Sequence, residues 1–417
     1  MKASNDVIAI STHAPRDVLT EILRDGAQRM LAQAIETEVD SWITNRVHLT
    51  DDDGHRLVVR NGHQPTRTIQ TGVGSVDVTR PRVHDRRPEG VRERFESAIL
   101  PRYLRRTKSI EELIPWLYLK GVSTGDFHEA LQAILGANAP GLSATTITRL
   151  KATWETEFEA WNARSLHGER YVYVWADAIH FNIRLESDGN QRQCILVLMG
   201  ATSNGKKELL AVVDGYRESE QSWLELLRDL KRRGLSLAPS LAIADGGLGF
   251  WAALRKVWPN TREQRCWVHK TANVLNKLPK SMQPKAKARL HEIWQAETCE
   301  SAKRAFDAFV EDFEAKYPKA VACLVKDRDT LLVFYDFPAE HWKHLRTTNP
   351  IESTFATVRL RHRRTKGNGS RTACLTMVFK LAESASKRWR RLNGHKLIPD
   401  VIAGVRFVDG VMSKVAA

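Results

Sequence analysis

The sequence predicts a mixed α/β fold, in which a central sheet carries a helical insertion and follows a mainly helical N-terminal region. Between residues 170 and 270, three β-branched and aromatic runs are separated by the pairs Asp188-Gly189 and Asn204-Gly205. Such pairs between apolar runs indicate β-hairpins, so three antiparallel strands are expected in sequence order. The chain then alternates between helical and strand patterns.

That alternation defines the order of the sheet. The first helical pattern is SEQSWLELLRDLKRRG, which has a single apolar face and a stop at Gly234. A buried strand, LAPSLAIAD, comes next. It is followed by the helical pattern GFWAALRKVW and by a further short strand, TREQRCWV. The order β-β-β-α-β-α-β is that of a ribonuclease H-like sheet. In that topology the first and fourth strands lie side by side.

The N-terminal region begins with a helical pattern over residues 15–45. Its apolar positions recur at helical spacing: Val18, Ile22, Leu23, Met30, Leu31 and Ile35. The polar segment that follows alternates around Ile69, Val76 and Val78, which indicates a short β-hairpin.

Helical patterns return from residue 109 and include a short helix that Ser123 or Thr124 can cap. After the turn ANAPG, Ser143 can cap the next helix. A helix followed by a short turn and a second helix is the pattern of a helix-turn-helix DNA-binding motif. Such a motif would present to DNA the side chains of Thr145, Thr146, Thr148, Arg149 and Lys151. A plain helical bundle explains the same pattern equally well.

The chain has 417 residues, a net charge of +15 and a pI near 9.7. Residues 341–417 hold sixteen lysines and arginines against four acidic residues. Concentrated basic charge favours a nucleic-acid partner, although a solvated helix face is the alternative. The longest apolar run, CILVLMGA, is too short to span a bilayer, and no signal peptide is indicated. Five cysteines without regular spacing are typical of a reducing, intracellular setting.

Residues 271–340 are charged and have helical patterns, which indicates a helical insertion. The predicted organisation is therefore an N-terminal helical region (1–60), a hairpin plus helix-turn-helix-like DNA-binding region (61–165), and the first part of a ribonuclease H-like core (166–270). The helical insertion (271–340) and the final part of the core with a basic C-terminal region (341–417) complete it.

Two aspartates stand where this topology would bring them together. Asp177 interrupts an otherwise apolar strand, where a carboxylate needs a partner or a metal ion. Asp245 ends the strand SLAIA, and ordinary turn chemistry with the glycines that follow is its simplest alternative. On neighbouring strands the two carboxylates would repel each other, and a hard cation such as Mg²⁺ or Mn²⁺ would relieve that conflict.

Glu352 is the only acidic residue between Glu340 and Glu383. Asn349 as N-cap, Pro350 and then Glu352 form a helix-capping arrangement that could explain it alone. The helix face that follows favours an added role. Phe355 and Arg359 share the side of Glu352, and a basic run continues beyond them with Arg361, Arg363, Arg364 and Lys366.

The chain resembles the Mutator-type transposases of bacterial insertion sequences. Matching segments occur in the family's order over nearly the whole chain, and they include DAIHFNIR, IADGGLGFWAAL, RCWVHK and TNPIESTFATVRLRHRRTKG. The resemblance implies a DDE recombinase with Asp177, Asp245 and Glu352 as its metal-binding catalytic triad, and Arg359 at the basic position such enzymes often carry. It also implies a Cys-x-x-His signature at Cys266 and His269.

Several expectations follow from the resemblance. Two Mg²⁺ ions per site, with Mn²⁺ possible, would support cleavage at the transposon end and joining of the freed 3′-hydroxyl to target DNA. Double-stranded DNA would be the partner, bound by a homodimer or larger assembly in the bacterial cytoplasm, associated with the nucleoid. His269 and Asn349 would lie near the site, His269 touching the scissile phosphate. A structural Cys/His pair at a strand end is the alternative for Cys266 and His269.

Two other functions stay open from the residues themselves. One is a ribonuclease H-like nuclease that cuts specific DNA structures without joining them. The other is a catalytically silent DNA-binding regulator.

Overall fold

The computed structural model describes residues 18–120, 122, 126–135, 144–183, 192–215, 218–364 and 370–413. The chain divides into two compact units, the first ending at Ile147 and the second beginning at Thr148. No helix in the described ranges combines the length and the apolar character needed to cross a membrane.

The first unit combines three helices with two β-ladders. Its elements are α1 (Val18–Thr44), β1 (Val58–His63), β2 (Arg67–Thr71), β3 (Gly74–Val78), β4 (Pro81–Asp85), α2 (Lys108–Lys120) and α3 (Phe127–Leu135). Strands β2 and β3 form the predicted hairpin, with Ile69 opposite Val76. Strands β1 and β4 form a second antiparallel ladder that the sequence pattern did not indicate.

Only the C-terminal half of α1 contributes to the core of this unit. Ile35 is buried with Ile69 and Val76 of the hairpin. The apolar positions in the first half of α1 are exposed instead, including Ile22 at 62% and Met30 at 72%. The helix predicted from the apolar spacing is thus present, but its first half is uncovered, because the hairpin is too short to cover a helix of 27 residues.

Helix α4 (Ala144–Asn162) contains the boundary between the two units. Its C-terminal part packs on the second unit, where Phe158 lies 5.4 Å from Phe379 between ring centroids, and Glu157 pairs with Lys380 at 2.8 Å. The predicted caps Ser123, Thr124 and Ser143 and the turn ANAPG lie outside the described residues. The helix-turn-helix reader accordingly stays a prediction.

The second unit is built on a five-stranded sheet. Its strands are β5 (Tyr171–Asn182), β6 (Arg192–Thr202), β7 (Lys207–Gly215), β8 (Leu241–Ala244) and β9 (Arg262–Arg265). The order is β7-β6-β5-β8-β9, with the first three strands antiparallel and β8 and β9 parallel to β5. The first and fourth strands in sequence thus lie side by side, as predicted.

Local chemistry explains the turns that produce this order. Gly205 adopts a φ of 77° in the β6–β7 turn, where its amide donates to the Thr202 carbonyl, so the predicted Asn204-Gly205 turn is confirmed. The predicted Asp188-Gly189 turn lies outside the described residues. Gly234, with a φ of 115°, ends the helix that follows β7, as predicted.

Helices α5 (Glu220–Arg232) and α6 (Leu248–Val257) cover one face of the sheet. There Trp223 and Leu227 pack with Val174 and Ala242 in the main hydrophobic core. The opposite face is covered by the region around the helical insertion. Trp175 donates from Nε1 to the His344 carbonyl at 2.9 Å.

The insertion contains helices and no strand within its described residues, as predicted. Its α-helices are α7 (Trp267–Leu275), α8 (Gln283–Gln295), α9 (Cys299–Phe313), α10 (Pro318–Val325) and α11 (Arg328–Leu331), followed by 3₁₀ segments Val333–Asp336 and Ala339–His341 and by α12 (Trp342–Leu345). The predicted strand TREQRCWV is wrong at its end, because the chain turns into α7 at Trp267 immediately after the four-residue strand β9.

Two long helices follow the insertion and complete the unit. Helix α13 (Asn349–Arg364) packs on β5, where the rings of Phe181 and His362 lie 4.9 Å apart, and α14 (Arg371–Ser386) follows it. The chain then forms the 3₁₀ segment His395–Leu397, the short helix α15 (Ile398–Ile402) and a final pair of strands, β10 (Phe407–Val408) and β11 (Val411–Met412).

Candidate active site

The register of the parallel strands aligns three polar residues in one row. Ala176 of β5 pairs with Ala244 of β8, and Ala244 pairs with Arg265 of β9. The next position on each strand is therefore Asp177, Asp245 or Cys266. The Cys266 amide continues the ladder by donating to the Ala244 carbonyl at 2.9 Å. The register thus places Asp177, in the middle of β5, beside Asp245 and Cys266, which directly follow the ends of β8 and β9.

Asp177 is the most buried carboxylate of this row, at 8% exposure. Its Oδ1 accepts a hydrogen bond from the Ala178 amide at 2.9 Å, whereas its buried Oδ2 has no hydrogen-bond partner among the described residues. Burial raises the pKa of Asp177 to about 6, and the nearby charge of Glu352 adds to this, while His269 and Arg359 oppose it. Oδ2 is therefore free of hydrogen bonds within the described residues, while His269 and Arg359 are the cations that act on the carboxylate.

Asp245 stands at the end of β8, where two glycines follow it. Its Oδ1 accepts from the Gly246 amide, and its carbonyl accepts from Trp251 Nε1 at 3.2 Å. A Cβ atom at Gly246 would overlap the Arg265 guanidinium, and one at Gly247 would overlap the Glu218 carboxylate. Glycine at these two positions therefore lets the neighbouring side chains pack closely around the Asp245 carboxylate, in addition to allowing the turn.

Glu352 lies in the first turn of α13. Its amide donates to the Thr348 carbonyl at 3.1 Å, and its Oε1 accepts from Thr348 Oγ1 at 3.0 Å. Because the helix begins at Asn349, Thr348 occupies the cap position, and the prediction of Asn349 as N-cap is wrong by one residue. Asn349 is exposed at the helix start. The hydroxyl of Thr348 thus orients the carboxylate of Glu352.

Cys266 and His269 lie beside Glu352. His269 Nε2 is 3.6 Å from Glu352 Oε1, and Cys266 Sγ accepts from the Thr348 amide at 3.3 Å. Burial alone would lower the pKa of His269, but contact with Cys266 and the charges of Asp245 and Asp177 raise it to about 9. His269 is therefore a cation at neutral pH. Both residues stand at the start of α7, where the chain leaves the sheet.

Two overlapping sets of side chains are candidate metal ligands here, and only one of them has its ligand atoms within 4.8 Å of one another among the described residues. Ligand atoms of Cys266, His269 and Glu352 all lie within 4.8 Å of one another. Such donors suit zinc, whereas the carboxylates of Asp177, Asp245 and Glu352 suit Mg²⁺ or Mn²⁺. Cys266 is buried and already accepts from the Thr348 amide, while Asp177 Oδ2 has no hydrogen-bond partner among the described residues. These contacts favour the carboxylate set, whereas the distances between ligand atoms favour the set that contains Cys266.

Glu218 is a fourth carboxylate at this site that the sequence analysis did not identify. Partial burial and the charges of Asp245 and Asp177 raise its pKa, although the residue as a whole is exposed. Its carboxylate lies against Gly247, as noted above. Glu218 belongs to no recognisable motif. It stands directly before Ser219, the N-cap of α5. Only the folded chain brings it close to Asp245.

The predicted DNA-binding residues have different surroundings. Arg359 is exposed on α13 and close enough to Asp177 to lower the pKa of its carboxyl. Arg363, Arg149 and Lys151 are also exposed, whereas Arg361 is buried at 3% exposure. Arg364 ends α13 with its side chain outside the described set, and Lys366 also lies outside the described residues. The side chain of Arg361 is therefore not presented at the surface of α13 as the sequence pattern predicted.

Comparison with known proteins identifies close relatives. A family model described as "Transposase, Mutator family" matches residues 2–392. The transposase for insertion sequence element IS6120 of Mycolicibacterium smegmatis is 56% identical over 301 residues, which cover 72% of this chain and 92% of the relative. The transposase for insertion sequence element IST2 of Acidithiobacillus ferrooxidans is 52% identical over 290 residues, which cover 68% and 95%.

Among solved structures, the Drosophila P element transposase strand transfer complex aligns with 72% of this chain and 85% of that chain. The sequence identity is 11% and the TM-score is 0.28. A similarity at this level does not bear on the fold or on the mechanism, so the relationship rests on the sequence relatives.

Proposed function

The chain belongs to the Mutator family of transposases, and from that premise we propose that it cuts and joins DNA at a DDE-type centre. The catalytic carboxylates would be Asp177, Asp245 and Glu352. The substrate would be the terminal inverted repeats of an insertion sequence together with a target duplex.

The observation that carries this proposal is the alignment of Asp177 and Asp245 on neighbouring parallel strands. An aspartate at the next register position of each strand gives two side chains on the same face of the sheet. Glu352 enters from α13, which packs on β5. The order of the five strands supports assignment of the sheet to the ribonuclease H-like class, with the helical insertion accounting for the long interval between Asp245 and Glu352.

The donor chemistry supports a divalent cation of the Mg²⁺ or Mn²⁺ type. Asp177 presents a buried oxygen with no hydrogen-bond partner in the part of the chain that the structure describes, and Asp245, Glu352 and Glu218 nearby are all carboxylates. When bound, such an ion supplies Lewis-acid polarisation of the phosphodiester and lowers the pKa of water. The residues that would hold it are Asp177, Asp245 and Glu352.

The remaining side chains would bind and orient the DNA. His269 is a cation at neutral pH beside Glu352, and it can hold a phosphate oxygen in place. Arg359 extends the same positive charge along the exposed side of α13. Thr348 fixes the rotamer of Glu352, and Cys266 fixes the start of the helix that carries it. Hydrolysis would free a 3′-hydroxyl at the transposon end, and that hydroxyl would then attack target DNA.

The decisive experiment compares the wild-type protein with Asp245→Asn. DNA that carries the native flanking ends is incubated with Mg²⁺, and nicked and joined products are resolved on a gel, while binding to the same DNA is measured separately. We expect wild type to cut and join, and the variant to bind the ends with at most 1% of the wild-type cleavage rate. Joining by the variant at the wild-type rate would reduce Asp245 to a turn residue.

The same assay distinguishes the remaining alternatives. A nuclease of ribonuclease H type would cut the ends without joining them to a target. A silent DNA-binding regulator would bind the ends and leave them intact in both proteins. A homodimer or larger assembly that pairs two ends is part of the proposal, and analytical ultracentrifugation with and without end DNA measures it.

A further inference from the structure

An arginine-lined groove in the first unit is not used by the proposed reaction. Two cavities of about 800 Å³ and about 540 Å³ share Gln64, Arg80, Arg94 and Phe95 as lining residues. They therefore form one continuous depression. We call it the arginine groove, defined by Gln64 and by lining residues between Arg80 and Arg102.

The acidic residues that line the arginine groove are partly neutralised from outside it. Asp85 is held by Arg87, whose Nη2 donates to Oδ2 at 2.7 Å. Glu93 pairs with Arg87 at 3.3 Å, and it also accepts from Arg46 Nε at 2.9 Å. Neither Arg46 nor Arg87 lines the groove. The charges left over are five arginines against two glutamates, namely Arg80, Arg82, Arg92, Arg94 and Arg102 against Glu89 and Glu96.

Arg80, at the centre of the groove, lacks a counterion. Neither it nor Arg94 nor Arg102 forms an ion pair with any described residue, and the buried Nε of Arg80 has no acceptor among them. Burial lowers the pKa of Arg80, and the positive charges of Arg67, Arg94 and Arg102 lower it further, against an opposing effect of Glu38. Clustered like charges without an anion cost folding free energy, which a bound anion would recover.

The groove has a rigid aromatic support. The Arg80 guanidinium lies 5.8 Å from the Phe95 ring centroid, and Phe95 packs edge-on against Trp42 of α1 at 5.6 Å. At the far end, Tyr103 is 81% exposed and carries the Arg102 guanidinium 5.5 Å above its ring. Arg82 and Arg92 line only the larger cavity, Arg102 lines only the smaller one, and Arg80 and Arg94 line both, so the cations are distributed along the groove.

We propose that the arginine groove binds the phosphodiester backbone of duplex DNA, and that it does so without reading sequence. Planar guanidinium groups suit phosphate oxygens, and cations spread along a groove suit a polymer better than a single small anion. The inference rests on the proposed function in one respect, namely that DNA is the polyanion that occupies the groove. It adds a contact surface in a unit that contains none of the catalytic carboxylates.

The test is the salt dependence of binding by the full chain to a duplex of random sequence. Arg94→Ala with Arg102→Ala removes two exposed arginines that form no ion pair. Each phosphate contact contributes about 0.9 to the slope of log affinity against log salt. We therefore expect the double variant to lower the magnitude of that slope by about 2 and to weaken binding at low salt by at least tenfold. Arg56→Ala, exposed in the same unit and lining neither cavity, should change neither quantity.

Two further arms separate the possible outcomes. Arg94→Lys with Arg102→Lys should restore most of the slope if charge is what matters. Inorganic phosphate, added in a thermal unfolding assay, probes for a small-anion site. Loss of phosphate protection in the double alanine variant, with an unchanged slope for DNA, would overturn the proposal in favour of such a site. An unchanged slope with unchanged phosphate protection would overturn it as well.

Failure of this inference can be told from failure of the proposed function. If wild type binds DNA with a steep salt slope that the double alanine variant retains, the groove is not a DNA contact, and the catalytic proposal is unaffected. If wild type binds no DNA at all, the proposed function itself fails. Unchanged far-ultraviolet circular dichroism and melting temperature of the variants exclude misfolding as the cause of any loss.

Discussion

Asp177 couples the stability of the chain to pH, because its carboxyl is buried in a strand of apolar residues. The folded-state pKa is about 6, above the ordinary value of 3.8. A raised pKa means that the folded state gains stability from the protonated form at low pH and loses it as pH rises through about 6. The full loss is at most about 3 kcal/mol, from roughly two pKa units at 1.36 kcal/mol each.

Asp177→Asn should therefore raise the melting temperature at pH 8 in the absence of divalent ions, and should change little at pH 4. Added Mg²⁺ should stabilise wild type at pH 8 through binding to the ionised carboxylates, and should stabilise the variant much less. Thermal unfolding at the two pH values, with and without Mg²⁺, measures both effects. A variant that is less stable than wild type at pH 8 would contradict the burial argument.

Glu218 adds negative charge beside Asp245 and Asp177. Glu218→Gln removes that charge with little change of shape, so we expect the Mg²⁺ concentration for half-maximal cleavage to rise several-fold while DNA binding stays unchanged. Glu225→Gln is the matched control, since Glu225 lies in α5, the helix that follows Glu218, and accepts from Gln221 at its surface. Equal metal requirements in the two variants would remove Glu218 from the site.

Cys266 distinguishes the two donor sets at the site. Cys266→Ser keeps a hydrogen-bond acceptor for the Thr348 amide and removes the thiol that a zinc site would need. We expect Mg²⁺-dependent cleavage to fall by less than tenfold. A complete loss of activity together with the loss of bound zinc, measured by atomic absorption, would favour the Cys266, His269 and Glu352 set instead.

The residues of the site differ in how far the sequence could predict them. The neighbouring positions of Asp177 and Asp245 were predictable, because strand patterning and hairpin turns determine the order of the sheet and hence which strands pair. Glu218 was not, because its nearness to Asp245 depends on packing between the start of α5 and the loop after β8. Arg361 belongs to the basic run in the sequence, which predicted a DNA contact. The rotational orientation of α13 against β5 buries its side chain instead.

Helix α13 depends on its first turn for the orientation of Glu352. In the segment TTNP, both threonine and asparagine are suitable caps, so the sequence does not decide which residue serves. The hydrogen bonds select Thr348, which is fully buried with its hydroxyl on the Glu352 carboxylate. The residue that caps this helix is therefore determined by tertiary contacts.

Thr348→Val should separate the orientation of Glu352 from its presence. It removes the hydroxyl while keeping the shape, so we expect a loss of about 1 kcal/mol in unfolding free energy and a fall in cleavage rate of tenfold or more. Thr348→Ser retains the hydroxyl and should keep most of the activity. If valine and serine behave alike in the cleavage assay, the hydrogen bond does not position the carboxylate.

Secondary-structure elements were predicted best where turns or caps define them locally. The β2–β3 hairpin, the β6–β7 turn and the end of α5 at Gly234 all follow from residues that favour those conformations. The β1–β4 ladder was missed, since its strands are separated in sequence by the hairpin that they flank. The exposed first half of α1 was also missed, because periodicity reports an apolar face and not whether a partner covers it.

At the scale of the whole molecule, the second unit has a core of its own and holds every residue of the proposed centre. A fragment that begins at Ala144 and ends at Ala417 should therefore fold and unfold in one cooperative transition. We expect it to retain stabilisation by Mg²⁺ and to lose most of its affinity for DNA, since the arginine groove belongs to the other unit. Calorimetry and a DNA-binding titration test this. A fragment without a cooperative transition would show that the two units depend on each other to fold.

The helical insertion has a consequence for the timing of synthesis. It separates Asp245 from Glu352, so that 106 residues lie between the second aspartate and the glutamate. At a translation rate of ~5–20 residues per second, a ribosome needs roughly 5–20 s to cover that interval. During this time the emerging chain already contains the arginine groove and both aspartates, but under the proposed function it cannot yet cut. A nascent or prematurely terminated chain would then occupy DNA without breaking it, and only chains translated past α13 would cleave strands.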